Sequence, residues 1–199
     1  MTFLLNLESY LSLLRNEERW QVTKSCAITD KAKKAFANFC LKKGTRFALL
    51  RILAIKKVVR QASKVGLIKP IKVKTHYFKS GHIYMLDKGE IHINRDFIFS
   101  EHYEKNVVSV IHELAHVYFS QRPDYKQLLE FDLSFANEYL TSPSQTVIAP
   151  IEFYANVLTC DWIMQVMSEL PKNERVEKII EEVELIKEKM LSSISKLRE

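Results

Sequence analysis

The stretch NVVSVIHELAHVYFS, residues 106–120, decides how this chain is read. Projected as a helix at about 100° per residue, it is apolar over more than half its circumference, through Val107, Val108, Val110, Ile111, Leu114, Ala115, Val117, Tyr118 and Phe119. A helix covered this way is buried on most sides. The remaining arc holds Lys105, Ser109, His112, Glu113, His116 and Ser120, so its one polar strip carries two histidines and a glutamate.

Histidines four apart project from successive turns on one face, and two imidazole nitrogens so placed converge on a single Zn²⁺ at about 2.0–2.1 Å. His112 and His116 are therefore candidate metal ligands. Glu113, at the edge of the same face, is the candidate catalytic acid/base that handles the proton of a water nucleophile.

A catalytic zinc site takes a third protein ligand and keeps one position open. His76, His82, His92 and His102 all precede the motif and none follows it, which excludes a third histidine closely downstream. A later carboxylate remains, from Asp124, Glu130, Asp132, Glu138, Glu152, Asp161 and Glu169. Glu152 in APIEFYANVLTCDWIM is the choice, with Glu130 and Glu138 as alternatives, because Pro150 suits a first helical turn and puts Glu152 beside it. Asn156, one turn on, is a candidate to hydrogen-bond a ligand, and Thr159 shares its face.

HELAH followed by IEFYAN resembles the gluzincin arrangement and, more narrowly, the ImmA/IrrE family of metallopeptidases, in which an E-x-x-A-N segment on a later helix runs on into apolar sequence. The likeness covers about residues 70–168. It implies His112, His116 and Glu152 as zinc ligands, Glu113 as acid/base, a zincin-like core, and a regulatory substrate such as a DNA-binding repressor. The chain departs from the family pattern in the 36-position gap from His116 to Glu152, in Tyr154 where a second acid is frequent, and in its basic N-terminal region.

The rest of the chain sets the frame. With 199 residues, 47% hydrophobic content, four glycines and five prolines, it reads as folded and helix-rich, not disordered or fibrous. Cys26, Cys40 and Cys160 are far apart and odd in number, which predicts a reducing, cytoplasmic setting. MTFLLNLESYLSLLRN is interrupted by Asn6 and Glu8 and reads as an amphipathic helix, not a signal or membrane segment.

Half of the 30 basic residues fall between Lys31 and Leu86, where there is no Asp or Glu. This basic segment, 31–86, is a candidate surface for DNA or an acidic protein partner. It supports a second functional reading, a non-catalytic binding module with a structural or vestigial zinc site.

Helices are expected at about 2–15, 30–43, 46–65, 102–120, 124–140, 149–168 and 172–197, with Thr45 as a possible N-cap. IKVKTHYF and HIYMLDKGEIHINRDFIF alternate like strands, and the turn signals KSG and DKG predict two hairpins, hence an antiparallel sheet of about three strands. The segment GEIHINRDF is the expected edge along which an extended substrate pairs. Val176, Ile179, Val183, Ile186, Met190 and Leu197 mark a near-heptad stripe, expected to pack on its own domain. The expected organisation is one α+β domain, 1–199: a basic helical region (1–68), a zincin-like core (69–168) and a C-terminal amphipathic helix (169–199).

Overall fold

The computed structural model describes residues 5–15, 28–43, 46–77, 83–86, 90–139 and 148–195. Gly44, Thr45, Leu197 and the KSG and DKG turns lie outside them. The described chain runs α1 (Leu7–Leu14), α2 (Asp30–Cys40), α3 (Ala48–Lys64), β1 (Lys72–His76), β2 (Ile83–Leu86), β3 (Glu90–Asn94), α4 (Arg95–Ser100), α5 (Tyr103–Ser120), α6 (Tyr125–Tyr139), α7 (Pro150–Met167) and α8 (Glu174–Ser195). It is mostly helical with one small sheet, an α+β arrangement in the broad sense.

Local chemistry sets the boundaries. Asn6 accepts from the Ser9 amide, Thr29 from that of Ala32, and Asn173 from those of Arg175 and Val176, so each occupies orphan donors at a helix start. At the other end of α3, Gly66 takes φ +77° while its own amide bonds the Ser63 carbonyl and that of Leu67 bonds Ala62. This is a Schellman closure, which needs a residue free to turn left-handed.

The expected antiparallel sheet is corrected. The strand order is β1-β3-β2, with β1 parallel to β3 and β2 antiparallel to it. Lys72 lies opposite Glu90 and His76 opposite Asn94, while Ile83 faces Ile93 and Leu86 faces Glu90. Burial explains the order. On β1, Lys72, Lys74 and His76 are exposed in alternation, as suits a border strand, whereas Ile91, His92, Ile93 and Asn94 are all buried. A strand buried on both faces takes the middle, and β1 pairs along it in parallel. The main-chain groups of β3 are thus paired on both sides, so GEIHINRDF is not an edge for a substrate.

A second correction follows along the same strand. RDFIF does not extend β3, because Asn94 accepts from the Asp96 amide at 3.0 Å and starts α4 instead. The strip of β-favouring residues is overridden by a cap.

One hydrophobic cluster includes Tyr10, Phe36, Val58, Ile91, Leu114, Trp162 and Val183. Central in it is α5, which packs on α7, α8 and β2, while α2 packs on α3 and α7. Tyr10 stands nearly perpendicular to Phe131, Phe135 and Phe153, with centroids at 5.8, 5.4 and 5.7 Å, and its hydroxyl donates to the Ile148 carbonyl at 3.1 Å. The stripe of α8 packs inward as expected, with Val176, Ile179, Val183 and Met190 buried and Ile186 partly so. Among the described residues, no helix is long and apolar enough to cross a membrane.

One member of the basic segment is built into the fold. Arg51 donates to the carbonyls of Ile98, at 2.9 Å, and of Glu101, closing the corner between α4 and α5. Replacing Arg51 with Ala is expected to lower stability by about 2 kcal/mol, since charged hydrogen bonds to partly buried carbonyls are lost. The exposed Arg60→Ala should change it by less than about 0.5 kcal/mol, and urea unfolding midpoints of the two variants make the comparison.

Candidate metal centre

Twelve residues of α5 are buried, among them Val107, Ile111, Leu114, Ala115 and Phe119, so neighbours surround the helix along most of its length. Its valines are poor helix formers, and burial of the apolar faces holds the helix in place of intrinsic propensity. The polar strip then has one place to go, toward the start of α7.

The sequence of α7 puts a carboxylate there. Pro150 opens the helix and Glu152 sits in the first turn, where the helix dipole favours an anion. Ala149 offers no side-chain cap, and Asp132 of α6 supplies the missing acceptor, taking the Ile151 amide on Oδ1 at 2.8 Å. Asp132 thus ties α6 to the turn that carries Glu152.

Three side chains meet at this point. The Nε2 atoms of His112 and His116 lie 3.0 Å apart, with rings nearly perpendicular at 86°. Glu152 Oε2 is 3.3 Å from His112 Nε2, and its Oε1 is 3.2 Å from His116 Nε2. Among the described residues these three form the one group of His, Cys, Asp and Glu whose ligand atoms all lie within 4.8 Å of one another. The spacing suits a cation: nitrogen and oxygen ligands about 2.0–2.1 Å from a tetrahedral Zn²⁺ stand roughly 3.4 Å apart. His112 and His116 are largely covered, whereas the Glu152 side chain is 53% exposed, so the group opens to solvent on the α7 side.

Glu113 lies beside this group without belonging to it. It is 7% exposed, and burial, reinforced by the negative charge of Glu152, pushes its carboxyl up to about 8 against the pull of His116. Glu152 moves the other way: burial resists, but hydrogen bonds and charge from His112 and His116 hold it well below the usual carboxylate range. Burial would lower His116, yet the Glu152 bond and the charges of Glu152, Glu113 and Asp132 raise it. Burial, with some help from Glu152, also raises Asp132. The donor set is two imidazoles and the charged Glu152 carboxylate, with Glu113 and Asp132 close by, and a divalent cation would balance the negative charge gathered there.

The other sequence candidates are placed elsewhere. Glu130 is exposed and paired with Lys126 at 3.7 Å, and Glu138 is exposed on α6. Asn156 lies half-buried one turn beyond Glu152, and no hydrogen bond joins it to the three clustered residues. Thr159 is fully buried and donates to the Ala155 carbonyl at 2.7 Å. What sequence reading missed was the role of Asp132, which it weighed only as a ligand. An acid 19 residues ahead of the first free amide of α7 carries no local signal of that bond.

No family model, curated protein or solved structure matches this chain.

Two outcomes are expected. In protein treated with chelator, Glu113 keeps its proton to about pH 8 when folded but releases it near 4.5 when unfolded. The unfolded state then binds fewer protons between those values, so stability falls as pH rises through that window. The raised His116 adds to the same fall above its ordinary 6.5, while the lowered Glu152 contributes stability that is present above 4.5 and lost toward acid. Unfolding free energies from urea titrations should therefore peak on the mildly acidic side and decline toward pH 8, by at most about 1.4 kcal/mol per pH unit from Glu113, and Glu113→Gln should flatten the decline. Separately, Asp132→Ala should cost about 1 kcal/mol through the lost helix-start acceptor and weaken metal binding, read by calorimetry, although it removes no ligand of the group.

Proposed function

We propose that this chain is a zinc-dependent endopeptidase with a zincin-like core, acting on a protein substrate in the cytoplasm. The observation that carries the reading is the convergence of His112 Nε2, His116 Nε2 and the Glu152 carboxylate at 3.0–3.3 Å, next to the buried Glu113. His112, His116 and Glu152 would hold the Zn²⁺. When bound, the ion supplies Lewis-acid polarisation of a scissile carbonyl and acidifies water to near neutrality.

The protein's own part centres on Glu113. In the metal-free chain Glu113 keeps its proton to about pH 8. A cation held by His112, His116 and Glu152 would favour its charged form, and the carboxylate would then take a proton from the attacking water and later return it to the departing amine. Burial keeps that carboxyl away from bulk solvent, and neighbouring His116 and Glu152 set how readily it gives or takes the proton. The exposed side of Glu152 leaves an approach for substrate. An extended peptide would pair with β2, the border strand that packs against α5, in place of the central β3. The resemblance of HELAH and IEFYAN to the ImmA/IrrE family supports a regulatory target such as a DNA-binding repressor.

Elemental analysis of wild type, His116→Ala and Glu152→Ala, purified side by side, tests the centre. One zinc per wild-type chain, lost or greatly weakened in both variants, is expected. Full zinc in Glu152→Ala would overturn the ligand set. Glu113→Gln should retain zinc and lose about 10²–10⁴-fold in peptide hydrolysis. Retained zinc with an unchanged function in that variant would move the chain to the reading of a non-catalytic binding module.

A further inference from the structure

The basic segment left one feature that the metal centre does not use, the outer face of α3. Buried Ile52, Ile55, Val58, Val59 and Ala62 turn inward, where α3 packs on α2, α4 and α5. At about 100° per residue, the exposed Leu49, Leu53, Lys56, Lys57, Arg60 and Lys64 fall within a single arc about 100° wide. Its first half is apolar and its second half cationic. Among the described residues, Lys57, Arg60 and Lys64 form no ion pair.

The outer face of α8 is built on the opposite plan. While Val176, Ile179, Val183 and Met190 pack inward on α5 and α7, the exposed Glu177, Glu181, Glu184, Leu185, Glu188 and Leu191 share an arc about 120° wide. Here Glu177, Glu181 and Glu184 come first, and Leu185 and Leu191 follow with Glu188 between them. Glu177 and Glu181 form no ion pair among the described residues, and Glu184 has only its neighbour Lys187 at 2.7 Å.

The geometry points to a second copy of this chain as the occupant of the α3 face, docked through its α8 in antiparallel orientation. The spacings match in reverse. Lys57, Arg60 and Lys64 are separated by three and four residues, as are Glu184, Glu181 and Glu177 read backwards. Set opposite one another, these pairs put Leu49 one residue from Leu191 and Leu53 level with Glu188, a turn from both Leu185 and Leu191, while Lys56 comes level with Leu185 and a turn from Glu188. Three cation–anion pairs and one apolar end therefore coincide, and Leu53 and Lys56 each lie one turn from leucine and glutamate respectively. A nucleic-acid backbone would meet the cations alone and leave exposed Leu49 and Leu53 without a counterpart. The contact joins different surfaces of the two copies. It closes into a dimer when both pairs of faces engage, and extends head to tail otherwise.

Light scattering and sedimentation over a concentration series, at about 50 mM and about 500 mM salt, test this on the full chain. Wild type should assemble at low salt and dissociate at high salt. Arg60→Glu with Lys64→Glu, and separately Glu177→Lys with Glu181→Lys, should each weaken assembly by about tenfold or more. All four positions are exposed, so circular dichroism should confirm intact folding. An equimolar mixture of the two variants should recover assembly, because each then presents a face of opposite charge to the other. A wild type that stays monomeric throughout, or an assembly indifferent to both variants, would overturn the proposal. So would loss without recovery in the mixture. Binding of random duplex DNA that falls in the α3 variant, with wild type remaining monomeric, would overturn it in favour of a nucleic-acid surface.

Discussion

The packing of α5 against α7 governs everything else in this protein. A helix apolar over most of its girth has to be enclosed, and enclosure obliges its histidines and glutamate to find polar partners at the one seam that remains. That seam meets the first turn of α7, where a proline-led start and an outside cap leave Glu152 in position. The rest of the fold supports this meeting: α8 packs on both α5 and α7, and β2 lies against α5.

Electrostatics at the seam then follow from who is covered. Glu113 is shut in and holds its proton, while Glu152, more exposed and bonded by two imidazoles, stays charged. Neighbouring carboxyls of one chemical type are thereby driven apart in character by position alone. Asp132 sits behind them as a support for the backbone, so its influence on the site is through the placement of α7 and through its charge.

Much of this could be read in the residues, and the limits were physical. The wedge on α5 was legible because helical periodicity is local, and the start of α7 because proline and a first-turn acid are local signals. Strand pairing was not: KSG and DKG look alike as turn signals, and nothing near them tells that β3 slips between β1 and β2. Phe97 and Ile98 favoured a strand until Asn94 capped a helix ahead of them. Arg51 and Arg60 read alike in the basic run, yet one binds backbone carbonyls across the fold and the other faces outward. Such differences are decided by partners dozens of positions away.

The bond from Tyr10 to the Ile148 carbonyl spans 138 positions and brings the beginning of the chain to the threshold of α7. Closing so long a loop is entropically demanding and comes late relative to local helix formation. On the ribosome, α5 with both histidines is complete well before α7 exists. The third member of the group, Glu152, is then seated only when α7 is made and its threshold meets α1, which is synthesised well ahead of it. The two histidines therefore precede their carboxylate partner, and the centre is completed only when α7 docks on α5.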